Sequence, residues 1–295
     1  MKNKVAVLLS TYNGEKYLAE QLKSILNQQD VTVNLYVRDD GSTDNTLEIL
    51  YEFAAKNNNI TVFKGENVGF AESFYSLLKM NIGADYYAFS DQDDIWEKNK
   101  LITAIKSINN SKKPMLYYSN LNVFDMVNNS RYYLYNNEYV KKYFSRYFYI
   151  YNGYGCTMVW NSELMSELKK LKMPKGMTHD IWVNLVANSI GNSFYDSNSY
   201  INYRVHGGNA CGVTPNSFYK KLKKIYTFYF KNKKQLCISL NCSYIINHFD
   251  MKDSLIKSIA NYKEKKIYFI FSLLKADLPK NDKLKFILLA TFGKL

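Results

Sequence analysis

Short apolar segments alternate with stretches of helical periodicity over the first 95 residues of this 295-residue chain. Val5 to Leu9 is a wholly apolar run, typical of a strand buried on both faces, and apolar residues at a spacing of about 3.6 mark a helix after it. The pattern predicts further strands at residues 31–37, 60–63 and 86–89, with helices at 47–54 and 70–80 between them. Such alternation indicates βαβ units, so we predict an α/β fold with a mostly parallel central sheet flanked by helices.

Polar residues follow each of the four predicted strands at the point where the strand ends. These segments are Ser10–Gly14, Asp39–Asp44, Glu66–Gly69 and Ser90–Asp94. The carboxyl ends of parallel strands lie at one edge of a sheet, where ligands of open α/β sheets bind. We therefore predict that the four segments together form a binding site.

Beyond residue 95 the pattern is less regular. Strands are predicted at residues 115–123 and 156–160, and a helix at 162–171. The aromatic-rich segment 132–154 fits neither type clearly, and the chain has no internal repeat. The second part of the sheet is therefore less well defined by the sequence than the first.

The net charge of +13 is concentrated near the C-terminus. Residues 1–212 contain 22 Lys and Arg against 21 Asp and Glu, whereas residues 213–295 contain 17 against 5. The function of residues 1–212 must therefore be inferred from their individual motifs and not from the net charge. Residues 213–295 form a basic, aromatic-rich extension that we predict to be helical. Four cysteines without a CxxC pair are too few for a disulfide scaffold, which indicates a reducing compartment.

Three of the four residues from Asp91 to Asp94 carry carboxylates, which repel one another unless a cation or hydrogen-bond donors hold them. Oxygen ligands of this kind suit Mg²⁺ or Mn²⁺. A calcium EF-hand is excluded, because Ile95 and Trp96 stand where its pattern requires Asp or Asn and then Gly. The alternative is a solvated loop in which Asp94 caps a helix that begins near Trp96.

Asp39 and Asp40 precede Gly41 and Ser42, so the segment also has a structural interpretation. Asp-Gly is turn chemistry, and Ser42 is a natural helix N-cap, but this accounts for one aspartate and not for two. A carboxylate at a strand end can accept a hydrogen bond from a base or a ribose hydroxyl. Glycine-rich phosphate-binding motifs are absent from the sequence, so a bound nucleotide would need a metal at its phosphates.

Taken together, the segments Ser10–Gly14, Asp39–Asp44, Asn67–Gly69 and Asp91–Asp94 resemble the motifs of the family 2 glycosyltransferases of GT-A fold, in the family's order and spacing. The resemblance covers about residues 3–212. It implies a GT-A catalytic domain over residues 1–212, with a nucleotide-binding half at about 1–95 and an acceptor-side half at about 96–212. Residues 213–295 then form the extension.

The resemblance also implies an activity. The expected enzyme is an inverting transferase that uses a nucleotide-diphospho-sugar and a divalent metal, Mn²⁺ or Mg²⁺. Ser90–Trp96, Gly155–Met158 and Tyr203–His206 further resemble a branch with bacterial rhamnosyltransferases of capsule and cell-wall polysaccharide synthesis, which suggests dTDP-rhamnose as donor. Galactose, glucose or N-acetylhexosamine donors remain open. So does a glycan-binding or membrane-binding scaffold without catalysis. Nucleotidyl transfer is disfavoured, because Ser10–Gly14 contains no basic residue.

The family's nucleoside pocket maps onto Thr11, Asn13 and Asp39, with Asp40 beside them. Each of these residues lies directly after the first or second predicted strand. By the resemblance, they bind the nucleoside of the donor.

The resemblance assigns the metal and the chemistry to later residues. Asp91 and Asp93 form the DxD pair; Asp93 contacts the metal, and Asp91 contacts the ribose or the metal shell. Arg204 and His206 match a basic pair near the diphosphate, and His206 is also a candidate metal ligand. Asp180 occupies the position of the catalytic base, which takes the proton of the acceptor hydroxyl.

These late residues also have structural interpretations. His179 and Asp180 could form a helix N-cap, and His179 stands where the family more often has Glu. His206 to Asn209 could form a turn. The residues alone do not decide between these interpretations and the catalytic ones.

The extension admits two interpretations. Phe218, Leu222, Ile225 and Tyr229 would share one helical face with most lysines off it, and Lys263–Leu274 again interleaves lysine with apolar residues. Such a helix can lie on an anionic membrane surface, or it can cap the catalytic domain with its apolar face. Nucleic-acid binding is disfavoured, because no recognition motif occurs.

The expected location follows from what the sequence lacks. No run approaches the roughly 20 apolar residues of a membrane-spanning helix, and Val5–Leu9 is too short for the core of a signal peptide. We expect a cytoplasmic protein, with a peripheral place on the inner face of the cell membrane as an additional option. The acceptor would be a glycan, a lipid-linked sugar or a glycoprotein.

Overall fold

The computed structural model describes residues 2–109, 111–126, 128–135, 148, 153–206, 238–250 and 253–291. The chain forms two compact units, Met1–Ala210 and Cys211–Leu295, and the boundary expected at residue 212 lies two residues further along. The two described cysteines, Cys156 and Cys242, are buried free thiols.

The first unit is an α/β structure built on one sheet. Its strands are β1 (Asn3–Thr11), β2 (Val31–Asp39), β3 (Ile60–Lys64), β4 (Tyr86–Ser90), β5 (Ile95–Trp96), β6 (Met115–Asp125), β7 (Ser130–Tyr133), β8 (Val159–Asn161) and β9 (Asn192–Val205). Its helices are α1 (Leu18–Leu26), α2 (Thr46–Lys56), α3 (Phe70–Lys79), α4 (Lys100–Ile108), α5 (Ser162–Lys170) and α6 (His179–Ile190).

The sheet has the strand order β3-β2-β1-β4-β8-β6-β9-β5, with β7 paired to β6. The first four strands are all parallel to one another, as the alternating pattern predicts. Residues 5–9 of β1 are fully buried, because this strand lies inside the sheet with both faces covered. Strand β8 pairs antiparallel with both β4 and β6, and β6 then runs parallel to β9. The predicted α/β fold is therefore confirmed, with a sheet that is parallel over β1 to β4 and mixed beyond β4.

Two predicted elements differ from the structure. No helix begins near Trp96; Ile95 and Trp96 form β5 and pair antiparallel with β9, and the helix begins only at Lys100. The predicted strand at residues 156–160 is instead a 3₁₀ turn at Gly155–Thr157 followed by β8. The sequence pattern also missed β9, whose polar first part (NSFYDSNS) carries no clear apolar alternation.

The second unit consists, in its described part, of helices α7 (Ile238–His248), α8 (Ser254–Ala260), α9 (Lys266–Lys275) and α10 (Lys280–Thr291). Asp253 caps α8, because its side chain accepts hydrogen bonds from the amides of Leu255 and Ile256. The predicted helical extension is confirmed for these ranges. The helical face expected around residues 218–229 lies outside the described residues. No helix of the described ranges has both the length and the apolar character needed to cross a bilayer.

Candidate active site

The predicted site lies at one edge of the sheet, where β1, β2 and β4 end. Thr11 and Asp39 are register partners at the last residues of β1 and β2. Ser90 ends β4 and is paired with Leu9 of β1. The segments that follow these strands therefore start side by side, as expected from parallel topology.

Asp39 organises the first corner of the site. Its buried carboxylate accepts hydrogen bonds from Thr11 Oγ1 at 2.9 Å, from the Ser42 amide at 2.9 Å and from Ser42 Oγ at 2.6 Å. The Asn13 amide in turn donates to Ser42 Oγ at 2.9 Å, and Asn13 Oδ1 accepts from the Thr43 amide at 2.9 Å. The structure thus brings Thr11, Asn13 and Asp39 together in one network that holds two loops.

The Asp40 carboxylate makes a separate set of contacts. It forms an ion pair with Arg38, and its two carboxylate oxygens accept from the amides of Val68 and Gly69 at 3.0 and 2.8 Å. Arg38 also donates to Ser73 Oγ at 2.9 Å. Asp40 therefore fastens the loop after β3 to the end of β2, and its charge is balanced within the fold.

Gln92 is a site residue that the sequence analysis did not identify. Its side-chain amide pairs with the backbone of Tyr12, accepting from the Tyr12 amide at 2.8 Å and donating to the Tyr12 carbonyl at 3.0 Å. A Cβ atom on Gly14 would lie 2.3 Å from Gln92 Oε1. Gly14 therefore allows the loop after β1 to approach the loop after β4, and Gln92 joins them.

The aspartates after β4 have different environments. Burial, together with the charges of Asp93 and Asp180, raises the pKa of Asp91 to about 7. Asp94 is fully buried and accepts from the Arg204 amide at 3.3 Å, and burial raises its pKa well above the ordinary value. The interpretation of Asp94 as a helix cap is wrong, since the residue faces β9 and no helix begins at Trp96.

Cys156 lies against these carboxylates. One ligand atom each of Asp91, Asp94 and Cys156 lies within 4.8 Å of the others. Gly155 allows the 3₁₀ turn to approach α6, because a Cβ at that position would lie 2.8 Å from His179 Nε2. Burial raises the pKa of the Cys156 thiol, so the sulfur is a protonated neighbour of the carboxylates.

Asp180 lies in the first turn of α6, with Thr178 as the N-cap residue. Its Oδ1 accepts from the Ile181 amide at 2.8 Å and from the Thr178 hydroxyl. The positive end of a helix stabilises a carboxylate in this position. A Cβ on Gly155 would lie 3.4 Å from Asp180 Cβ, so Asp180 lies beside the 3₁₀ turn that contains Cys156, and its charge contributes to the raised pKa of Asp91.

His179 has a structural role next to this base candidate. Its ring stacks on Phe74 with centroids 4.0 Å apart and meets Phe89 edge-on at 4.7 Å. Burial lowers the pKa of His179 to about 4, so the imidazole is neutral near pH 7. Because the imidazole is neutral and packs against aromatic rings, histidine fits at this position, where the family more often has Glu.

Arg204 and His206 lie at the end of β9. His206 Nε2 is 2.9 Å from Asp93 Oδ2, and the imidazole packs on Tyr17 with ring centroids 4.7 Å apart. The Arg204 guanidinium forms an ion pair with Glu20 and lies 5.0 Å from the centre of the Tyr17 ring. The structure thus brings His206 next to Asp93, whereas Arg204 reaches the cluster through its backbone amide. Tyr17 and Glu20 are further residues that the sequence analysis missed.

Lys100, at the start of α4, is a buried cation beside the cluster. Its Nζ lies 3.7 Å from the centre of the Trp96 ring. Burial lowers the pKa of Lys100 to about 7, and the negative charge of Asp94 opposes that effect. The sequence of α4 does not indicate that Lys100 is buried beside the acidic cluster, because lysine is normally exposed.

The donor atoms of the cluster suit a hard divalent cation. Asp94 Oδ2 is buried and receives no hydrogen bond from the part of the chain that the structure describes. Burial and the charges of Asp93 and Asp180 disfavour the ionised form of Asp91 and raise its pKa, an effect that a bound cation would oppose. Carboxylate oxygens are the preferred ligands of Mg²⁺ and Mn²⁺, whereas a protonated thiol adds little. The residues present therefore fit the metal that the resemblance implies.

Comparison with known proteins defines the class of this one. The sequence matches glycosyl transferase family 2 over residues 6–168, which is more than half of the chain. The chain belongs to this family, and it is a nucleotide-sugar-dependent glycosyltransferase.

Two curated relatives cover most of the chain. The dTDP-rhamnosyl transferase RfbG of Shigella flexneri is 35% identical over 231 residues, which is 74% of this chain and 78% of that protein. An uncharacterized glycosyltransferase of Haemophilus influenzae is 29% identical over 304 residues, covering 92% of this chain and 89% of that protein. The predicted resemblance to rhamnosyltransferase-like members of the family is confirmed.

Solved structures confirm the GT-A fold. S. aureus TarS 1–349 in complex with UDP-GlcNAc matches with a TM-score of 0.57 and 21% identity, over 92% of this chain and 79% of that chain. The mannosyltransferase PcManGT of Pyrobaculum calidifontis, in complex with GDP-Man and Mn²⁺, matches with a TM-score of 0.56 and 13% identity. That alignment covers 99% of this chain and 85% of the mannosyltransferase.

Proposed function

We propose that the protein is an inverting, metal-dependent glycosyltransferase that moves rhamnose from dTDP-rhamnose to a hydroxyl of a growing surface glycan or glycoconjugate. The similarity to the Shigella dTDP-rhamnosyl transferase supports the donor. The observation that carries the mechanism is the close group of Asp91, Asp94 and Cys156, with Asp180 next to the turn that contains Cys156.

Asp180 is the proposed general base. The acceptor hydroxyl gives its proton to the Asp180 carboxylate as its oxygen forms the bond to the anomeric carbon, and the bond from that carbon to the diphosphate breaks. A single in-line displacement of this kind inverts the configuration at the anomeric carbon. The hydrogen bond from the Ile181 amide and the start of α6 fix the orientation of the carboxylate. A positioned base typically contributes about 10²–10⁴-fold to the rate.

Asp91 and Asp93 are the proposed ligands of Mn²⁺ or Mg²⁺, with His206 at Asp93 as a further candidate ligand. The bound metal would neutralise the negative charge that develops on the leaving diphosphate. The Arg204 amide donates a hydrogen bond to Asp94, so we propose that Arg204 supports the diphosphate site by holding Asp94.

The proposed nucleoside pocket consists of Thr11, Asn13 and Asp39. Their shared hydrogen-bond network fixes the two loops before donor binding, so little conformational freedom remains to be lost. Asp40 contributes by holding the neighbouring loop through the amides of Val68 and Gly69.

The proposed location is the cytoplasm, with peripheral contact to the inner face of the cell membrane through the extension. A glycan, a lipid-linked sugar or a glycoprotein is the proposed acceptor. The basic excess in residues 213–295 supports an anionic surface as partner, and we propose no nucleic-acid partner.

A donor panel tests this function. Thermal unfolding is measured with dTDP-rhamnose, UDP-galactose, UDP-glucose and UDP-GlcNAc, each with Mn²⁺ and with EDTA. A ligand that binds only the native state raises the Tm, so dTDP-rhamnose should give the largest rise, and only with Mn²⁺. A larger rise with another donor would overturn the rhamnosyl assignment. Equal rises in EDTA would overturn the role of the metal. Release of dTDP from dTDP-rhamnose distinguishes a catalyst from a scaffold.

A further inference from the structure

Helix α9 is apolar on nearly all sides, and yet much of it is exposed. Between Lys266 and Lys275 every residue except Ser272 is apolar or aromatic. Helices that are hydrophobic all round are normally buried on all sides. The exposed fractions here are instead 73% for Ile267, 61% for Phe271 and 56% for Leu274.

The exposed residues form one continuous face. Ile267, Ile270, Phe271 and Leu274 are spaced by three and four residues, so they lie along one side of the helix, and we call them the α9 stripe. The residues that point into the protein are Phe269, Ser272 and Leu273, on the other side. Tyr262 packs there, with its ring centroid 6.2 Å from that of Phe269. The inner face of α9 thus already has its partners, and the stripe is a separate apolar surface.

Lysines surround the stripe. Lys263, Lys265 and Lys266 precede or begin the helix, and Lys275 ends it; all four are exposed. Glu264 is the only acidic residue between positions 263 and 275. An apolar helical face with basic residues at its borders and aromatic residues on it is the pattern of helices that lie in a membrane interface.

We propose that the α9 stripe lies on an anionic lipid surface, with its apolar side chains in the interface and the four lysines against the headgroups. This inference rests on the peripheral location proposed above and names the surface that makes the contact. At about 1.5 Å per residue, the ten-residue helix is about 15 Å long, so it would lie in the interface and not span it. Both the burial of the stripe and the attraction of the lysines to anionic lipid favour binding.

A second copy of the chain fits the stripe less well. A two-fold contact between antiparallel α9 helices would bring Lys265 and Lys266 of one copy towards Lys275 of the other, and like charges repel. Four side chains also offer far less area than the roughly 800 Å² per partner of a stable interface. A fluid lipid surface needs no matching shape, and its negative charge complements the lysines.

Co-sedimentation of the full chain with vesicles tests the proposal. Wild type should pellet with vesicles of phosphatidylglycerol and phosphatidylcholine, and much less with phosphatidylcholine alone. The double substitution Phe271→Ser and Leu274→Ser should weaken binding to the anionic vesicles about tenfold or more, because two large apolar side chains no longer enter the interface. Lys265→Gln and Lys266→Gln should each weaken it about fivefold at low salt.

The control is Tyr51→Ser, which removes an exposed aromatic side chain from α2 of the catalytic unit and should leave pelleting unchanged. If wild type does not pellet, the peripheral location and the role of α9 both fail. Equal pelleting by wild type and the double variant would overturn the role of α9 alone. A wild-type dimer that Phe271→Ser converts to monomer, without vesicle binding, would identify a second copy as the occupant and overturn the proposal. The Tm rise with dTDP-rhamnose, measured on the same variants, reports separately on the proposed catalytic function.

Discussion

Two groups of aspartates with similar sequence surroundings differ in how well the protein stabilises their carboxylates. Asp39 and Asp40 follow β2, and both are buried with their oxygens bonded to hydroxyls, amides or Arg38. Asp91 and Asp94 follow β4, and both have raised pKa values because burial and neighbouring carboxylates disfavour their charge. The first group is satisfied by the fold, whereas the second keeps raised pKa values even though Cys156 and the Arg204 amide contact it.

This difference distinguishes the carboxylates that the protein itself stabilises from those that a bound cation would stabilise. Buried polar groups in native proteins are normally paired, so an uncompensated cluster requires an explanation. The proposed divalent cation would supply that explanation for Asp91 and its neighbours, while the first group would position the loops around the proposed nucleoside pocket.

The largest effect is expected at Asp180. Asp180→Asn retains an oxygen for the Ile181 amide but removes the base, so turnover should fall about 10²–10⁴-fold while the Tm rise with donor and Mn²⁺ is kept. Steady-state release of dTDP measures the first quantity, and thermal unfolding measures the second. The matched control is Asp85→Asn, just before β4 at the opposite edge of the sheet, which should retain turnover. Near-normal turnover of the Asp180 variant would remove this residue from catalysis.

A large loss of stability is expected at Asp40. In Asp40→Asn the amide group must place a donor against Arg38 or against the amides of Val68 and Gly69, which are themselves donors. Breaking a buried pair in this way typically costs about 3–5 kcal/mol. Urea unfolding in EDTA measures the loss. A variant as stable as wild type would show that Asp40 is not held as described, and the contrast with Asp91 would disappear.

At Asp91 we expect a substitution to raise the stability of the metal-free protein, in contrast to the loss expected at Asp40. Its native pKa of about 7 lies above the ordinary value of 3.8, so between these pH values the native state binds more protons than the unfolded state. By linkage, ionised Asp91 lowers stability as pH rises from about 4 to 7, and the penalty is constant above that range. Asp91→Asn should therefore raise the Tm of the metal-free protein by roughly 10 °C at pH 8 and leave it unchanged near pH 4.

The measurement for Asp91 is the difference between variant and wild type across pH. His179, with its pKa lowered to about 4, contributes a slope of opposite sign between pH 4 and 6.5 in both proteins, and the difference removes it. With Mn²⁺ the order should reverse, because only wild type gains stability from the ion. A variant that responds to Mn²⁺ as wild type does would contradict the assignment of Asp91 as a ligand.

The sequence was sufficient to predict the parallel half of the sheet and the edge at which the site lies. Runs such as Val5–Leu9 define strands through local pattern, and parallel topology then brings Thr11 next to Asp39. The aspartates were found because carboxylates gathered after strands have few structural explanations.

The remaining site residues depend on contacts that no local pattern encodes. Cys156 and Lys100 reach Asp94 only through the packing of the 3₁₀ turn and of α4, and Tyr17 reaches His206 through β9, which the pattern did not predict. The helix expected near Trp96 failed for the same reason, since pairing with β9 outweighs the local capping signal of Asp94. Contacts between residues that are distant in sequence, and not local helix or strand propensity, determine the structure at these positions.

The smallest predicted effect tests whether the two groups of aspartates are held together by Gln92. Gln92→Ala removes both hydrogen bonds to the Tyr12 backbone, which join the loop after β4 to the loop after β1. The net loss should be about 1–3 kcal/mol in stability, because the Tyr12 groups can regain water as partners. The Tm rise with dTDP-rhamnose and Mn²⁺ should also shrink, since donor binding needs both loops. Gly14→Ala introduces a clash at the same contact and should mimic the loss. If both variants bind donor as wild type does, the nucleoside corner and the acidic cluster act independently.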